Sequence, residues 1–214
     1  MDGEPTNPHE QLRKNMIWEY QDLSEREGVG IRNRNLITDE HPLALAKEQW
    51  NNSPSKPYVS FAFLGGSGYM RLDLWGVTND GSLLTEKEIY SQGSDGKTKE
   101  EGEKMSKSGM QIAKSFAQIT KRNIVDIAIT HPKSDHIPPK LGYSDLNLDE
   151  IRANVQGSQS GGFLSTSAAR AERLGYHLWS KEYRSDDEQI EPYPFTVKEI
   201  EKIEWMVQHI IKKD

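Results

Sequence analysis

The sequence has no cysteine among its 214 residues. This absence excludes disulfide bridges, thiolate metal sites, iron–sulfur clusters and cysteine nucleophiles. It does not decide between a reducing and an oxidising compartment, because proteins of both kinds can lack cysteine. A chain of this length can bury a hydrophobic core without covalent cross-links, so the missing disulfides exclude no globular fold.

The chain also lacks a basic excess and long apolar runs. Its formal net charge is -6, its pI is about 5.6 and its mean hydropathy is -0.79. Nucleic-acid binders carry basic patches and membrane spans need about 20 apolar residues. We therefore expect a soluble protein with no nucleic acid and no membrane among its partners. The polar, acidic stretch "MDGEPTNPHEQ" does not have the pattern of a signal peptide, so we expect a cytoplasmic protein, or one secreted without an N-terminal signal peptide.

The residue pattern predicts an α+β (mixed α/β) fold, with a central mixed sheet that contains an antiparallel meander and is covered by helices. Apolar and polar side chains alternate in "YVSFAFL" and "YMRLDLWGV", and "TNDGS" predicts a tight turn into "LLTEKEIY". A helix with Met105, Ile112 and Phe116 on one face follows. The near-continuous apolar run "NIVDIAIT" then predicts a central strand.

Capping patterns predict where the later helices begin and end. Asn147 with Glu150, and Thr196 with Glu199, have the spacing of capping boxes. The short helix "AARAERL" should stop at Gly175, before a strand in "YHLWSKEY".

The N-terminal region looks least like a core. We expect residues 1–40 to form an N-terminal arm or peripheral helix, and residues 41–214 to form a single α+β domain. In "RKNMIWEYQDLSEREG", helical spacing would place Met16, Ile17 and Tyr20 on one side. A second short helix is predicted in "DEHPLALAKEQW".

The segment "ITHPKSDHIPPKLGYSDLN" leaves the predicted central strand and carries chemically useful side chains. They are His131, Asp135, His136, Ser144 and Asp145. Imidazole and carboxylate groups are metal ligands and acid–base groups, and loops after strands often hold catalytic residues. The alternative is a surface connection with solvated histidines, stiffened by its prolines.

This segment resembles the motif of the JAB/JAMM (MPN)-type metalloproteases, which is His-x-His-Pro, a loop, and then Ser-x-x-Asp. His131-Pro132 and Ser144 match it, whereas Ile129 and Asn147 stand where the motif has a histidine and an aspartate. The motif's glutamate is missing from "YVSFAFL", and Glu86 and Glu88 lie on a later strand. The order of predicted elements over residues 58–183 is similar to that of the family.

The resemblance implies metal-dependent cleavage of peptide or isopeptide bonds, with zinc as the metal and a protein or peptide as partner. By position it carries over only His131, as a metal ligand, and Ser144, which would support the oxyanion or the metal-bound water. We expect His136 or Asp145 to replace a missing metal ligand, and His136 or Asp135 to act as a compensating ligand or base, so that the predicted metal ligands are His131, His136 and Asp145 and the predicted catalytic residues are His136, Asp135 and Ser144. The departures leave open a catalytically degenerate member that holds no zinc and acts as a non-enzymatic interaction or structural module.

Two further resemblances compete. "THPKSDH" is similar to the metallo-β-lactamase signature Thr-His-x-His-x-Asp-His, except that Lys133 occupies the second histidine position. Downstream, only His177 and His209 could complete that ligand set. "GFLSTSAARA" resembles the Ser-Thr-Ser element of ADP-ribosyltransferases, with Arg71 and the "EQIE" residues Gln189 and Glu191 as the partners that such an effector would need.

Overall fold

The computed structural model describes residues 13, 16–22, 34–36, 55–62, 68–91, 97–156 and 164–212. They form an α+β fold with a mixed sheet and helices on both of its faces, which confirms the predicted fold class. None of the helices in these ranges is both long enough and apolar enough to span a bilayer.

The sheet of these ranges has nine strands. In chain order they are β1 (Met16–Asp22), β2 (Arg34–Leu36), β3 (Ser55–Ala62), β4 (Gly68–Thr78), β5 (Leu83–Ser91), β6 (Ile124–Thr130), β7 (Ser144–Asp145), β8 (Val155–Gln156) and β9 (His177–Tyr183). The spatial order is β2-β1-β3-β4-β5-β6-β9-β7, and β8 pairs with β4. The β5–β6 pair is parallel and the other pairs are antiparallel.

Four α-helices within the described ranges accompany the sheet: α1 (Lys97–Thr120), α2 (Leu148–Asn154), α3 (Ala169–Leu174) and α4 (Val197–Lys212). Short 3-10 turns lie at Pro132–Ser134 and Pro138–Leu141, and a π-helical turn at Leu164–Ala168 precedes α3. Helix α1 connects β5 to β6, because parallel neighbouring strands need a crossover connection.

Alternation along the strands divides the core between the two sheet faces. On one face, Leu72 and Ile124 pack with residues of α1 and α4, such as Phe116 and Ile203; this is the first apolar cluster. On the other face, a second apolar cluster joins its sheet residues to α2, the π-helical turn and α3; it contains Trp75, Leu84, Ile127, Ile151, Ala168, Ala171 and Leu178.

The turn after β4 and the first turns of α2 and α4 follow local sequence signals. Gly81 has φ +85°, as the tight turn between β4 and β5 requires. Thr196 N–H donates to Glu199 Oε2 at 2.7 Å and Glu199 N–H donates to Thr196 Oγ1 at 3.4 Å, which confirms that box. Asn147 caps α2 by accepting from the N–H of Asp149.

The helix predicted around Met16 is wrong. Residues Met16–Asp22 form strand β1, which pairs with β3 along its whole length. Trp18 is buried, whereas its neighbour Ile17 is 44% exposed, so burial changes from one residue to the next as in a strand. Backbone partners on β3 decide this conformation. The second predicted helix, in residues 39–50, lies outside the described residues, and the boundary at residue 40 stays a prediction.

Candidate functional site

Strand β6 ends at Thr130 and leads directly into the histidine loop, residues 131–143. His131 precedes the first 3-10 turn, and its Nδ1 accepts a hydrogen bond from the N–H of Lys133 at 3.1 Å. Its ring lies edge-on to that of Tyr176, with 5.5 Å between the ring centres. The side chain of His131 is exposed, and its Nδ1 is already occupied by the hydrogen bond within the loop.

A row of four polar groups joins this loop to β9. Trp179 Nε1–H donates to Thr130 Oγ1 at 2.8 Å, and Thr130 Oγ1–H donates to Asp135 Oδ1 at 2.7 Å. The other carboxylate oxygen, Oδ2 of Asp135, lies 2.6 Å from Nδ1 of His177. We call this row the Asp–His relay. Strand pairing builds it, because Thr130 is opposite His177 in the β6–β9 register.

The relay changes from buried to exposed along its length. Trp179 is buried, the side chain of Asp135 is 21% exposed and that of His177 is 59% exposed. A carboxylate at Nδ1 fixes the imidazole tautomer so that Nε2 is the nitrogen available to accept a proton. This arrangement can therefore support general acid–base chemistry at His177.

The predicted site residues do not all converge on the relay. Asp135 belongs to it and His131 lies beside Tyr176, whereas His136 is exposed on the loop. Ser144 and Asp145 form the exposed strand β7, opposite Ser180 and Trp179 of β9, respectively.

Three or more protein ligands normally hold a zinc ion. Within the part of the chain that the structure describes, no group of three histidine or carboxylate side chains could hold a metal ion. The predicted ligands His131, His136 and Asp145 form no such group, so a zinc site at this loop stays a prediction.

The motif positions that depart from the metalloprotease family have structural roles. Ile129 packs against the second apolar cluster. Glu86, which is buried on the same sheet face, accepts hydrogen bonds from Trp75 Nε1–H at 2.9 Å and Ser167 Oγ–H at 2.7 Å. No local pattern predicts the contact between Glu86 and Ser167, because 81 positions separate them.

The residues of the two rival patterns are distributed differently. Of the lactamase-like set, Asp135 and His177 meet, while the side chain of His209 lies outside the described residues. Of the transferase-like set, Arg71 lies 2.9 Å from Asp73. Glu191 belongs to the loop that leads to Tyr193, whose N–H donates to Gln111 O of α1 on the opposite face from Ser167.

A buried polar network, which we call the Tyr143 network, fastens the far end of the histidine loop. The hydroxyl of Tyr143 contacts the ammonium group of Lys87, donates to Asp126 Oδ2 at 2.5 Å and lies 3.2 Å from the hydroxyl of Tyr183. Thr85 donates to the other oxygen of Asp126 at 2.8 Å. Burial, followed by the negative charge of Asp126, raises the pKa of both tyrosines.

The sequence predicts neither this network nor the contact between His177 and Asp135. His177 stands in the sequence only as a distant ligand of the lactamase-like pattern, because no local feature indicates that it faces Asp135. The available signal was the apolar strand "NIVDIAIT" with a polar Asp126 inside it, which indicates a buried polar partner.

Comparisons with known proteins found no match: no family model, no curated protein and no solved structure matches this chain.

Proposed function

We propose that this chain is a hydrolase domain related to the JAB/JAMM type, which cleaves peptide or isopeptide bonds of a protein partner and uses His177 as its general base. The observation that carries the proposal is the 2.6 Å contact between Asp135 Oδ2 and His177 Nδ1. Asp135 acts as a positioning residue, and Thr130 and Trp179 orient it.

The proposed step needs only water and the imidazole. Nε2 of His177 takes a proton from a water molecule as the water oxygen attacks the carbonyl carbon of the amide. The carbon–nitrogen bond then breaks, and the protonated imidazole returns the proton to the leaving amine. Because the donor set of the loop offers no group of three, no part of this step is assigned to zinc.

The neighbouring predicted residues differ in how well they are placed to help. Asp145 is opposite Trp179, two positions from His177, so it shares the sheet face of His177. Ser144 is opposite Ser180, three positions from His177, and lies on the other face. Asp145 is thus the better placed of the two to contact a substrate near His177.

The test compares the wild-type chain with His177→Gln and Asp135→Asn on peptide and isopeptide libraries. The matched control is Glu182→Gln, an exposed position of the same strand, which keeps an oxygen to accept from Asn123 Nδ2. Removing a general base typically lowers the rate by about 10²–10⁴-fold. We expect such a loss in His177→Gln, a smaller one in Asp135→Asn and none in Glu182→Gln. Equal rates in all four proteins would sink the proposal.

A second measurement needs no substrate. Diethyl pyrocarbonate modifies neutral imidazole nitrogen, so mass spectrometry of each histidine reports its reactivity. We expect Asp135→Asn to change the modification rate of His177 and to leave that of His136 unchanged. Elemental analysis of the same samples would show whether zinc is bound and whether His131→Ala removes it.

An interaction module is the second candidate. It is favoured by Ile129, which packs against the second apolar cluster where the metalloprotease motif has a histidine. Under this alternative, the exposed loop residues would bind a protein or peptide without cleaving it. A wild-type chain that leaves both libraries intact, yet retains particular peptides from them on a column, would favour this alternative.

A further inference from the structure

Strand β7 is the last strand of the sheet on the side of the Asp–His relay, and within the described residues only β9 pairs with it. Leu146 N–H donates to Leu178 O at 3.0 Å, so these two residues form a hydrogen-bonded pair of the antiparallel ladder. Such pairs alternate with pairs that share no hydrogen bond, and Asp145 opposite Trp179 is of the second kind. The backbone N–H and C=O of Asp145 therefore point away from β9, to the outer side of β7.

This outer side, which we call the open edge, keeps its hydrogen-bonding capacity at Asp145. On either side of it the backbone is already engaged, since Tyr143 N–H donates to Pro138 O at 3.0 Å and Asn147 O accepts from Ile151 N–H at 3.2 Å. Within the described part of the chain, no group bonds to the backbone N–H or C=O of Asp145, and the residue is exposed. An unpaired strand edge of this kind can take up an extended chain as a further strand.

The open edge faces the reactive nitrogen of the Asp–His relay. Asp135 is held by Thr130 of β6, so its carboxylate lies on the β6 side of His177 and Nε2 is directed away from β6. Neighbouring strands are about 4.8 Å apart, so a strand added beyond β7 would lie about 10 Å from β9. An imidazole with one hydrogen-bonded water molecule spans roughly this distance. A chain on the open edge would therefore lie within reach of the proposed base.

The side chains at the open edge are negatively charged. The side chain of Asp145 shares the sheet face of His177 and is exposed. Asp149 and Glu150 add negative charge in the first turn of α2. The Cβ atom of a residue directly opposite Asp145 on an added strand would lie about 5 Å from the Cβ of Asp145. At that distance a lysine or arginine is attracted and a carboxylate is repelled.

We propose that the open edge binds a segment of the protein partner as an added antiparallel strand, with a lysine or arginine opposite Asp145. The identity of this occupant as a substrate rests on the proposed function, which supplies the hydrolysis at His177. The N–H of Asp145 donates to the segment and its C=O accepts from it, whereas the carboxylate supplies the preference for a basic side chain. The segment itself must be extended, because its own backbone groups have to be free for pairing.

The test measures binding separately from cleavage. The full chain carrying His177→Gln is titrated with two capped pentapeptides, Thr-Val-Arg-Val-Thr and Thr-Val-Glu-Val-Thr, and backbone amide signals are followed by NMR. We expect the arginine peptide to shift the amide signal of Asp145 and to leave that of Lys133, which donates within the histidine loop, unchanged. It should bind about two- to five-fold more tightly than the glutamate peptide. An unchanged Asp145 signal, or equal affinity for the two peptides, would overturn the proposal.

Two substitutions separate the carboxylate from the backbone. Asp145→Asn removes the charge, and we expect it to abolish the difference in affinity between the two peptides. Asp149→Asn, at a side chain that is 86% exposed, is the matched control and should keep that difference. Asp145→Pro removes the outward N–H, a change that edge strands tolerate, and should prevent both peptides from binding. Undiminished binding of the arginine peptide by Asp145→Pro would contradict strand pairing.

The titration also distinguishes this proposal from the proposed function. Peptide binding at Asp145, in a chain whose wild type cleaves neither library, would support the open edge and refute the hydrolase. Cleavage of a library by the wild type, with no shift of the Asp145 signal in the titration, would support the hydrolase and refute the open edge as the place where the chain binds.

Discussion

Tyr143 places one hydroxyl among three other polar side chains in the interior. It contacts Lys87, Asp126 and Tyr183, and the carboxylate of Asp126 is fully buried. Tyr143→Phe would leave this buried ion pair with fewer partners. We expect a loss of about 1–3 kcal/mol in the free energy of unfolding, measured by chemical denaturation. Tyr176→Phe, at a half-exposed tyrosine, is the control, and equal stability of the two variants would contradict the assigned role.

Tyr183 gives a prediction about alkaline pH. Its folded-state pKa is raised above the ordinary value of 10.0, chiefly by burial, so the folded state keeps a proton that the unfolded state releases. The corresponding stability is fully present below pH 10 and is lost as the pH rises above that value. We expect the unfolding free energy of Tyr183→Phe to fall less steeply than that of the wild type above pH 10. Parallel curves would show that Tyr183 does not contribute this dependence.

Residue chemistry alone predicted part of the candidate site. The types and spacing of His131, Asp135 and His136 marked the loop correctly as the polar segment after β6. The partner of Asp135 could not be predicted, because His177 reaches it only through the register of β9 on β6. No local feature of a histidine at the start of a strand indicates which distant residue will lie beside it in the folded chain.

Helix α1 packs closely on the sheet because Gly109 has no side chain at the contact. A Cβ added at Gly109 would lie 2.5 Å from Met70 Sδ and 2.9 Å from Lys87 Cδ. Gly109→Ala gains about 1 kcal/mol of helix propensity but forces these side chains apart at a cost of about 1–3 kcal/mol.

We therefore expect Gly109→Ala to lower the thermal midpoint, even though alanine favours helices. Gln118→Ala, at an exposed position of the same helix, should leave the midpoint nearly unchanged. A higher midpoint for Gly109→Ala would mean that α1 does not pack as closely on β4 and β5 as the structure shows.

The elements differ in how far their own sequences define them. The β4–β5 hairpin and helices α1 and α4 were predicted, because turn residues, capping boxes and apolar spacing are local signals. Strand β1 was not, because Met16, Ile17 and Tyr20 fit a helical face equally well. Pairing with β3 decides between the two conformations, and no pattern within residues 16–22 contains that information.

Chain topology predicts that the Asp–His relay forms late in folding. Strand β9 inserts between β6 and β7, although the 46 residues between the end of β6 and the start of β9, which include α2 and α3, separate them along the chain. Such non-local pairing costs loop entropy before it gains contacts. The relay should therefore form only when most of the sheet is in place.

Strand β1 and the preceding Arg13 contact residues near the start of α4. Trp18 is buried and its ring lies 6.0 Å from that of Phe195. Arg13 lies 3.1 Å from Glu199, at the start of α4, and donates to Pro194 O at 2.6 Å. These contacts join the first described residues to the last helix of the chain.

We expect deletion of residues 1–22 to lower the thermal midpoint strongly and to promote aggregation, because it removes β1, uncovers the edge of β3 and takes Trp18 from the core. Deletion of residues 1–12 is the comparison, since it keeps Arg13 and β1, so the difference between the two midpoints isolates the contribution of residues 13–22. Thermal unfolding and size-exclusion chromatography of both variants would measure the difference. If the longer deletion proved as stable and monodisperse as the shorter one, the N-terminal region would be a dispensable arm, and the core would begin at β3.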